Sequence, residues 1–204
     1  KEKIEFGDFQ TPLELAEIAC ERLVTLGVSP DVIIEPTCGV GAFVIASVNY
    51  FSSTKKVYGI DINSDYLDVL EGALCGHPRQ NVVSIEHGDF FRYDWAGKSS
   101  DVDGNLLVLG NLPWVTNTVQ SKIDSYNVPE KDNVVGLGGL DAITGKANFD
   151  ISEWMMIDML KWSPEKKIDI AIMLKTAVAR KILSYVEKHK IGCYYSEIIT
   201  VDAR

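Results

Sequence analysis

Several features that would narrow the function of a protein are scarce in this sequence of 204 residues. It has only three histidines and four cysteines, and no two cysteines have the C-x-x-C spacing. Neither a metal site nor a disulfide framework is therefore indicated. No apolar run is long enough to cross a bilayer, and no secretory signal is visible at the start. From these absences we expect a protein of a reducing, cytoplasmic environment that binds neither a metal nor a membrane.

Positive charge is in deficit as well. The chain has 20 lysines and arginines against 29 aspartates and glutamates, which gives a formal net charge of −9. Non-specific affinity for nucleic acid comes mostly from basic side chains that displace counterions from phosphates. If this protein acts on nucleic acid, its basic surface must be local, or another domain or partner must supply it.

Strand-like and helix-like segments alternate along most of the chain. Apolar runs typical of buried strands lie at residues 31–36, 55–62, 81–90, 105–110, 167–174 and 193–201. Helical patterns lie between them at residues 11–27, 41–51, 63–74, 151–162 and 176–188. This alternation predicts βαβ units, and therefore a Rossmann-like, doubly wound α/β fold with a mostly parallel sheet. Within the first helix, Thr11 is the expected N-cap, Pro12 the first helical residue and Gly27 the end. Asn63 is the expected N-cap of the third helix.

In such sheets the ligand binds beyond the carboxyl ends of the strands. The first strand runs into EPTCGVGAF, where Gly39 and Gly41 would let the backbone approach a ligand closely. Val44 stands where the dinucleotide fingerprint has a glycine, so a pyrophosphate is not favoured. The acidic Glu35, just before this turn, suits a ligand that carries an amino group.

The next two strand ends also carry acidic residues. Asp61 follows the glycine turn by about twenty residues, the spacing at which a carboxylate usually binds ribose hydroxyls. Asp89 ends the third strand and could accept a hydrogen bond from the amino group of an adenine. The ring of Phe90 could pack on that base.

The fourth strand ends in NLPW. The Asn111 side-chain oxygen and the Leu112 backbone carbonyl are two acceptors that suit a planar NH₂ group. Pro113 fixes its own φ and restricts the residue before it, so the turn is stiff. Trp114 offers a face on which a base can stack, an interaction worth about 1–3 kcal/mol.

Taken in order, these motifs resemble those of the S-adenosylmethionine-dependent adenine-amino DNA methyltransferases that have an FxTP motif before the glycine motif. FGDFQTP is similar to FxTP, EPTCGVGAF to the glycine motif, and NLPW to the catalytic D/N-P-P-Y/F/W motif. The resemblance implies the class I methyltransferase fold and methyl transfer to the 6-amino group of an adenine flipped out of DNA. It also implies a modification enzyme that is fused to or paired with a nuclease in a restriction–modification system.

The resemblance also assigns roles to individual residues. Those expected to bind S-adenosylmethionine are Phe9, Thr11, Pro12, Glu35, Cys38, Gly39, Gly41, Asp61, Ile62, Asp89 and Phe90. Those expected to be catalytic are Asn111, Leu112, Pro113 and Trp114. The implied mechanism needs neither a metal nor a covalent intermediate, because positioning of the amine does most of the work.

For domain organisation, we expect residues 1–204 to form one methyltransferase catalytic domain. Residues 115–148 are rich in Asn, Asp, Gly and Ser, and a connection of this length is typical of a lid-like loop. Compared with the family pattern, we expect this chain to lack the final antiparallel strand and a target-recognition domain. Most contacts to DNA are therefore expected from a missing domain or a partner subunit.

Alternatives remain open at this stage. Leu112 stands where the DNA enzymes commonly have proline, and N-L-P-aromatic also resembles the ribosomal RNA adenine dimethyltransferases. A protein-glutamine methyltransferase would use a similar motif to bind a side-chain amide. A degenerate domain that binds the cofactor without catalysis is a further alternative, whereas Val44 and NLPW disfavour a nicotinamide-dependent oxidoreductase.

Overall fold

The structure is a computed structural model that describes residues 10–114, 150–162 and 167–200. Its contacts divide the chain into two compact units. The sheet unit comprises Asp8–Leu112 and Leu160–Met173. The helical unit comprises Lys1–Gly7, Pro113–Met159 and Leu174–Arg204. Phe9 and the expected lid-like loop at 115–148 lie outside the described residues.

The sheet unit is built on five parallel strands in the order β3-β2-β1-β4-β5. The strands are β1 Val32–Glu35, β2 Lys56–Asp61, β3 Val83–His87, β4 Leu106–Asn111 and β5 Ile168–Met173. This sheet confirms the predicted Rossmann-like α/β fold. Four of the five strands lie within a range that the sequence pattern predicts, and β4 extends one residue beyond its predicted range, to Asn111.

The central strands β1 and β4 form the middle of the hydrophobic core. They pair in register, with Val32 beside Leu106 and Ile34 beside Val108. Every residue of β1 is buried, as is expected of a strand that is covered on both faces of a parallel sheet. The same burial explains why these strands are continuous apolar runs without alternation.

Four helices belong to the sheet unit, and the sequence pattern predicts three of them. The helices are α1 Leu13–Thr25, α2 Ala42–Tyr50, α3 Ser64–Leu74 and α4 Trp95–Ser100. Asn63 caps α3 as predicted, because its side chain accepts from the Asp65 backbone N–H at 3.0 Å. The short α4 and the 3₁₀ turn at Gln80–Val82 were not predicted, since neither is long enough to show a helical period.

The predicted start of α1 is wrong. Pro12, not Thr11, occupies the N-cap position, and no side chain caps the helix there. The Thr11 hydroxyl instead accepts from the side-chain amide of Asn111 at 3.1 Å, away from the helix. At the other end, Gly27 has a φ of 80° and its N–H donates to Val24, which confirms the predicted stop.

The helical unit contains α5 Ile151–Met159 and α6 Thr176–Lys188. The helical pattern at 151–162 predicts an amphipathic helix, but seven of the nine residues of α5 are buried, including Ser152 and Glu153. Helix α6 is the amphipathic one, because it buries only Val178 and Ile182. Because α5 is rich in Met and Ile, almost its whole surface can be buried. The spacing of its apolar residues alone does not predict this burial.

The strand predicted at 193–201 is not formed by residues 193–200, the part of it that the structure describes. Tyr194 is 96% exposed and Tyr195 is 68% exposed. Without a neighbouring strand to satisfy its backbone groups and without burial of its apolar side chains, a β-prone segment has nothing to stabilise it. Within the described residues, the sheet therefore has no antiparallel strand. No helix among them is long and apolar enough to span a membrane.

A stability test follows from Arg79, which binds the carbonyls of the turn after α2. Its guanidinium donates to Val48 at 3.1 Å, to Phe51 at 2.6 Å and to Thr54 at 2.5 Å. We expect Arg79→Met to lower the free energy of unfolding by about 1–3 kcal/mol, because these carbonyls would lose a charged donor. Urea denaturation measures the change.

The matched control for this test is Arg92→Met. Arg92 is 77% exposed in its side chain and makes only a 3.7 Å ion pair with Asp89. Its loss should change the unfolding free energy by less than about 0.5 kcal/mol. Equal effects of the two substitutions would contradict a structural role of Arg79.

Candidate active site

The candidate site lies where the order of the strands reverses. In the order β3-β2-β1-β4-β5 the reversal falls between β1 and β4, and ligands of open α/β sheets bind beyond the carboxyl ends of such strands. Glu35 ends β1 and Asn111 ends β4. A Cβ atom at Gly110 would lie 3.3 Å from Cγ of Glu35, so only a glycine fits there without a shift. The ends of β1 and β4, which the sequence predicts to bind a ligand, therefore lie close together.

The turn after β1 depends on two glycines in the left-handed region of backbone space. Gly39 has a φ of 53° and Gly41, the N-cap of α2, has a φ of 87°. Side chains are disfavoured at both by conformation. They are also disfavoured by space, because a Cβ at Gly41 would collide with Leu70 and one at Gly39 would lie 2.5 Å from the Gln10 side-chain oxygen. The turn at the start of α2 therefore favours glycine at both positions.

Asp61 ties this turn to the end of β2. One carboxylate oxygen accepts from the Gly39 N–H at 2.8 Å, and the other accepts from the Asn63 N–H at 2.8 Å. Burial raises the pKa of the Asp61 carboxyl, although these N–H donors act in the opposite direction. The Ile62 N–H acts on the same carboxylate, and the two oxygens together can accept about four hydrogen bonds, so a ligand hydroxyl could still donate to it.

Glu35 is the most deeply buried acid of the site, at 3% exposure. Burial raises the pKa of its carboxyl well above the usual value of 4.5, and the nearby Asp61 raises it further. Its Oε2 atom has no hydrogen-bond partner among the described residues. A buried acceptor that is left unpaired costs free energy, and a ligand with an ammonium group would remove that cost.

Asn111 presents a second unpaired acceptor. Its side-chain nitrogen donates to the Thr11 hydroxyl at 3.1 Å, whereas its Oδ1 atom is buried and has no partner in the described part of the chain. The Thr11 bond orients the amide so that its oxygen, not its nitrogen, is left for a ligand. The structure therefore brings Thr11, expected near the cofactor, together with the expected catalytic Asn111.

The remaining three residues of the NLPW motif are divided between the two units. Leu112 is 1% exposed and ends the first segment of the sheet unit, whereas Pro113 and Trp114 are grouped with the helical unit. The backbone carbonyl of Trp114 accepts from Lys175 at 3.2 Å. The roles predicted for Leu112, Pro113 and Trp114 toward a substrate stay predictions.

Asp89 and Phe90 have local partners. The Asp89 carboxylate accepts from the Phe91 N–H at 3.0 Å. Phe90 is 4% exposed, and its ring lies 5.3 Å from that of Trp95 and 5.9 Å from that of Trp162. Phe90 thus belongs to a buried aromatic cluster, and its contact with an adenine stays a prediction.

Some contacts at the site were not predicted. The Gln10 side chain accepts from the Val40 N–H at 3.1 Å and so binds the backbone of the turn after β1. Cys38 is buried, which raises the pKa of its thiol, and its N–H donates to Ile60 at 2.8 Å. The Ile62 carbonyl lies 2.9 Å from the ring of His87. Only Gln10 carried a signal in the sequence, because it stands inside the FQTP segment.

Metal binding has no visible support in this region. No group of three or more His, Cys, Asp or Glu side chains is placed to hold a metal ion in residues 10–114, 150–162 and 167–200.

Similarity to known proteins extends over most of the chain. The sequence model of the family described as N-6 DNA methylase matches residues 1–161, which include every strand end discussed above. The chain belongs to the N-6 DNA methylase family.

Two curated relatives are Type II methyltransferases. M.NspV from Nostoc sp. is 48% identical over 204 residues, which are 100% of this chain and 42% of the relative. M.CvrRI from Paramecium bursaria Chlorella virus XZ-6E is 28% identical over 134 residues, which are 66% of this chain and 31% of the relative. The chain thus spans less than half the length of these two relatives.

A solved structure supports the fold. A proposed RNA methyltransferase from Pyrococcus horikoshii superposes with a TM-score of 0.55 at 15% identity, over 93% of this chain and 73% of that one. At this identity the similarity concerns the arrangement of strands and helices only.

The buried Glu35 leads to a prediction about pH. Because the pKa of its carboxyl is higher in the folded than in the unfolded chain, the folded state holds the proton to a higher pH. Stability should therefore fall as pH rises above about 4.5, and Asp61 should add to the same slope. We expect Glu35→Gln to flatten the slope and to raise the free energy of unfolding at pH 8 by about 1–3 kcal/mol.

Chemical denaturation of both proteins between pH 5 and pH 8 measures this effect, with Glu14→Gln on α1 as the control. The carboxyl of Glu14 lies in the first turn of that helix, at an exposed position. If the Glu35→Gln variant is less stable than the wild type at pH 8, burial of the Glu35 carboxyl does not lower the free energy of unfolding, and the prediction is wrong.

Proposed function

We propose that this chain carries the catalytic site of an enzyme that methylates the 6-amino group of adenine in DNA, with S-adenosylmethionine as methyl donor. One observation carries the proposal. At the carboxyl end of β4, beside the reversal of strand order, Asn111 holds a buried side-chain oxygen with no partner among the described residues. Family membership and the similarity to two Type II methyltransferases support it.

The residues present fit S-adenosylmethionine. The unpaired Oε2 atom of Glu35 would receive the ammonium group of its methionine part, and the oxygens of Asp61 would receive ribose hydroxyls. Gly39 and Gly41, with their positive φ values, would form the turn whose backbone the ligand approaches at the start of α2. When bound, this cofactor supplies a methyl group on a positively charged sulfur.

The chain's own residues would bind and orient the target amine. The Asn111 oxygen accepts from one N–H of the amino group, and the Leu112 carbonyl accepts from the other. Two acceptors in fixed positions hold the amino nitrogen in one orientation and stabilise the positive charge that develops on it. Trp114 stacks on the base, which has to leave the duplex to reach the site.

Binding of DNA would depend on more than this chain. Its net charge of −9 opposes the phosphate backbone, so we place most DNA contacts on another domain or a partner subunit. The Type II relatives support a place in a restriction–modification system. The four cysteines are all free thiols, which supports a reducing, cytoplasmic location.

The catalytic role of Asn111 is tested by Asn111→Ala in the complete natural protein. We expect its single-turnover methylation rate to fall by about 100-fold or more, because the loss of one preorganised acceptor has effects of this size. Cofactor affinity should stay within about threefold, since no ligand contact with the cofactor is assigned to this side chain. Transfer of labelled methyl to a DNA duplex measures the rate, and calorimetry measures the affinity.

Asn105→Ala is the matched control, because Asn105 precedes the opposite end of the same strand and its side chain donates to the Ser29 carbonyl at 3.3 Å. Its rate should equal that of the wild type. Methylation of RNA or of a glutamine peptide in preference to duplex DNA would favour one of the alternative methyltransferases. Cofactor binding without any transfer would favour a non-catalytic scaffold.

Cofactor binding should release a proton from Glu35. Burial without a cation raises the pKa of this carboxyl, so it holds its proton to a higher pH, and a neighbouring ammonium group lowers that pKa. Calorimetry at one pH in two buffers of different ionisation enthalpy counts this proton. We expect release by the wild type, and weaker binding without release by Glu35→Gln. Equal proton counts for the two proteins would show that the ammonium group is bound elsewhere.

A further inference from the structure

A lysine of the helical unit contacts the last residue of the NLPW motif. Lys175 directly precedes α6, and its ammonium group donates to the backbone carbonyl of Trp114 at 3.2 Å. The same ammonium group pairs with the carboxylate of Asp150 at 2.7 Å. One cation thus joins two residues that are far apart in the sequence.

Asp150 holds this lysine from a fixed position. Its side chain is only 9% exposed and it directly precedes α5. While one carboxylate oxygen binds Lys175, the other accepts from the hydroxyl of Ser152 at 2.6 Å and from its N–H at 3.2 Å. Asp150 therefore serves the start of α5 in the manner of an N-cap, and it cannot rotate away without leaving that N–H unpaired.

This arrangement has a consequence for Trp114. A carboxylate that is mostly buried needs a partner of opposite charge, so Asp150 keeps Lys175 in place. The ammonium group then has a donor left for the Trp114 carbonyl, and that bond restricts the peptide plane at the end of the motif. The backbone of Trp114 is thereby tied to the starts of both helices, α5 and α6.

We propose that Lys175 is a positioning residue for catalysis: together with Asp150 it fixes the backbone of Trp114, and so the orientation of the ring on which the target base stacks. Lys175 acts through Trp114 and needs no contact with substrate or cofactor. The inference rests on the proposed function, because it assigns Trp114 to the base.

A matched control exists on the same two helices. Lys181 of α6 pairs with Glu153 of α5 at 2.7 Å, the same distance as the pair of Lys175 with Asp150. The Glu153 side chain is 10% exposed, close to the 9% of Asp150. Lys181→Met therefore removes the same kind of ion pair and leaves the contact of Lys175 with Trp114 intact.

The experiment compares Lys175→Met, Lys175→Arg and Lys181→Met in the complete natural protein. Two readouts are needed: the single-turnover rate of DNA methylation, and the ¹⁹F resonance of 5-fluorotryptophan at position 114, assigned with Trp114→Phe. For Lys175→Met we expect a rate at least 10-fold lower, cofactor affinity within twofold of the wild type, and a broadened or split resonance. Lys175→Arg keeps the charge and the donors, so it should recover part of the rate.

Lys181→Met should keep both the rate and the single sharp resonance, even where thermal denaturation shows a loss of stability. A sharp wild-type resonance at position 114 in Lys175→Met would overturn the inference, as would equal losses of rate in Lys175→Met and Lys181→Met. Failure of the proposed function has a different signature, since the wild type itself would then transfer no methyl group to adenine. The resonance would still decide whether Lys175 orders Trp114.

Discussion

The hydrogen bond from the Gly39 N–H to the Asp61 carboxylate holds the candidate site together. It joins the turn after β1 to the end of β2, and the second oxygen of the same carboxylate binds the N–H of Asn63, which caps α3. One side chain thus fixes the glycine turn, the end of a strand and the start of a helix. Because Asp61 is also the residue expected to bind the ribose, cofactor binding and local structure depend on the same group.

The site keeps polar atoms buried at a cost in stability. The Oε2 atom of Glu35 and the Oδ1 atom of Asn111 have no partners among the described residues, although each ends a central strand. Buried acceptors without partners are rare in folded proteins because each one loses its bonds to water. Their presence at two adjacent strand ends is explained if a ligand completes both.

The sequence predicted the elements that depend on local pattern. Strand β1 was visible as an apolar run, and the cap at Asn63 was visible because its side chain bonds a backbone group two residues away. The partner of Thr11 was not predictable, since the bond with Asn111 spans 100 residues and exists only once the sheet has formed. The prediction of a strand near Tyr194 was wrong for a related reason. A β-prone segment forms a strand only where a neighbouring strand pairs with it.

The central claim is that the strand ends of this chain direct a methyl group to the 6-amino nitrogen of adenine. Its most direct test is to incubate the complete natural protein with duplex DNA and S-adenosylmethionine that carries a deuterated methyl group. The nucleosides are then analysed by mass spectrometry. The account predicts N6-methyldeoxyadenosine with the full deuterium label. Label on another base or on another atom of adenine, or no label in DNA from a protein that binds the cofactor, would contradict it.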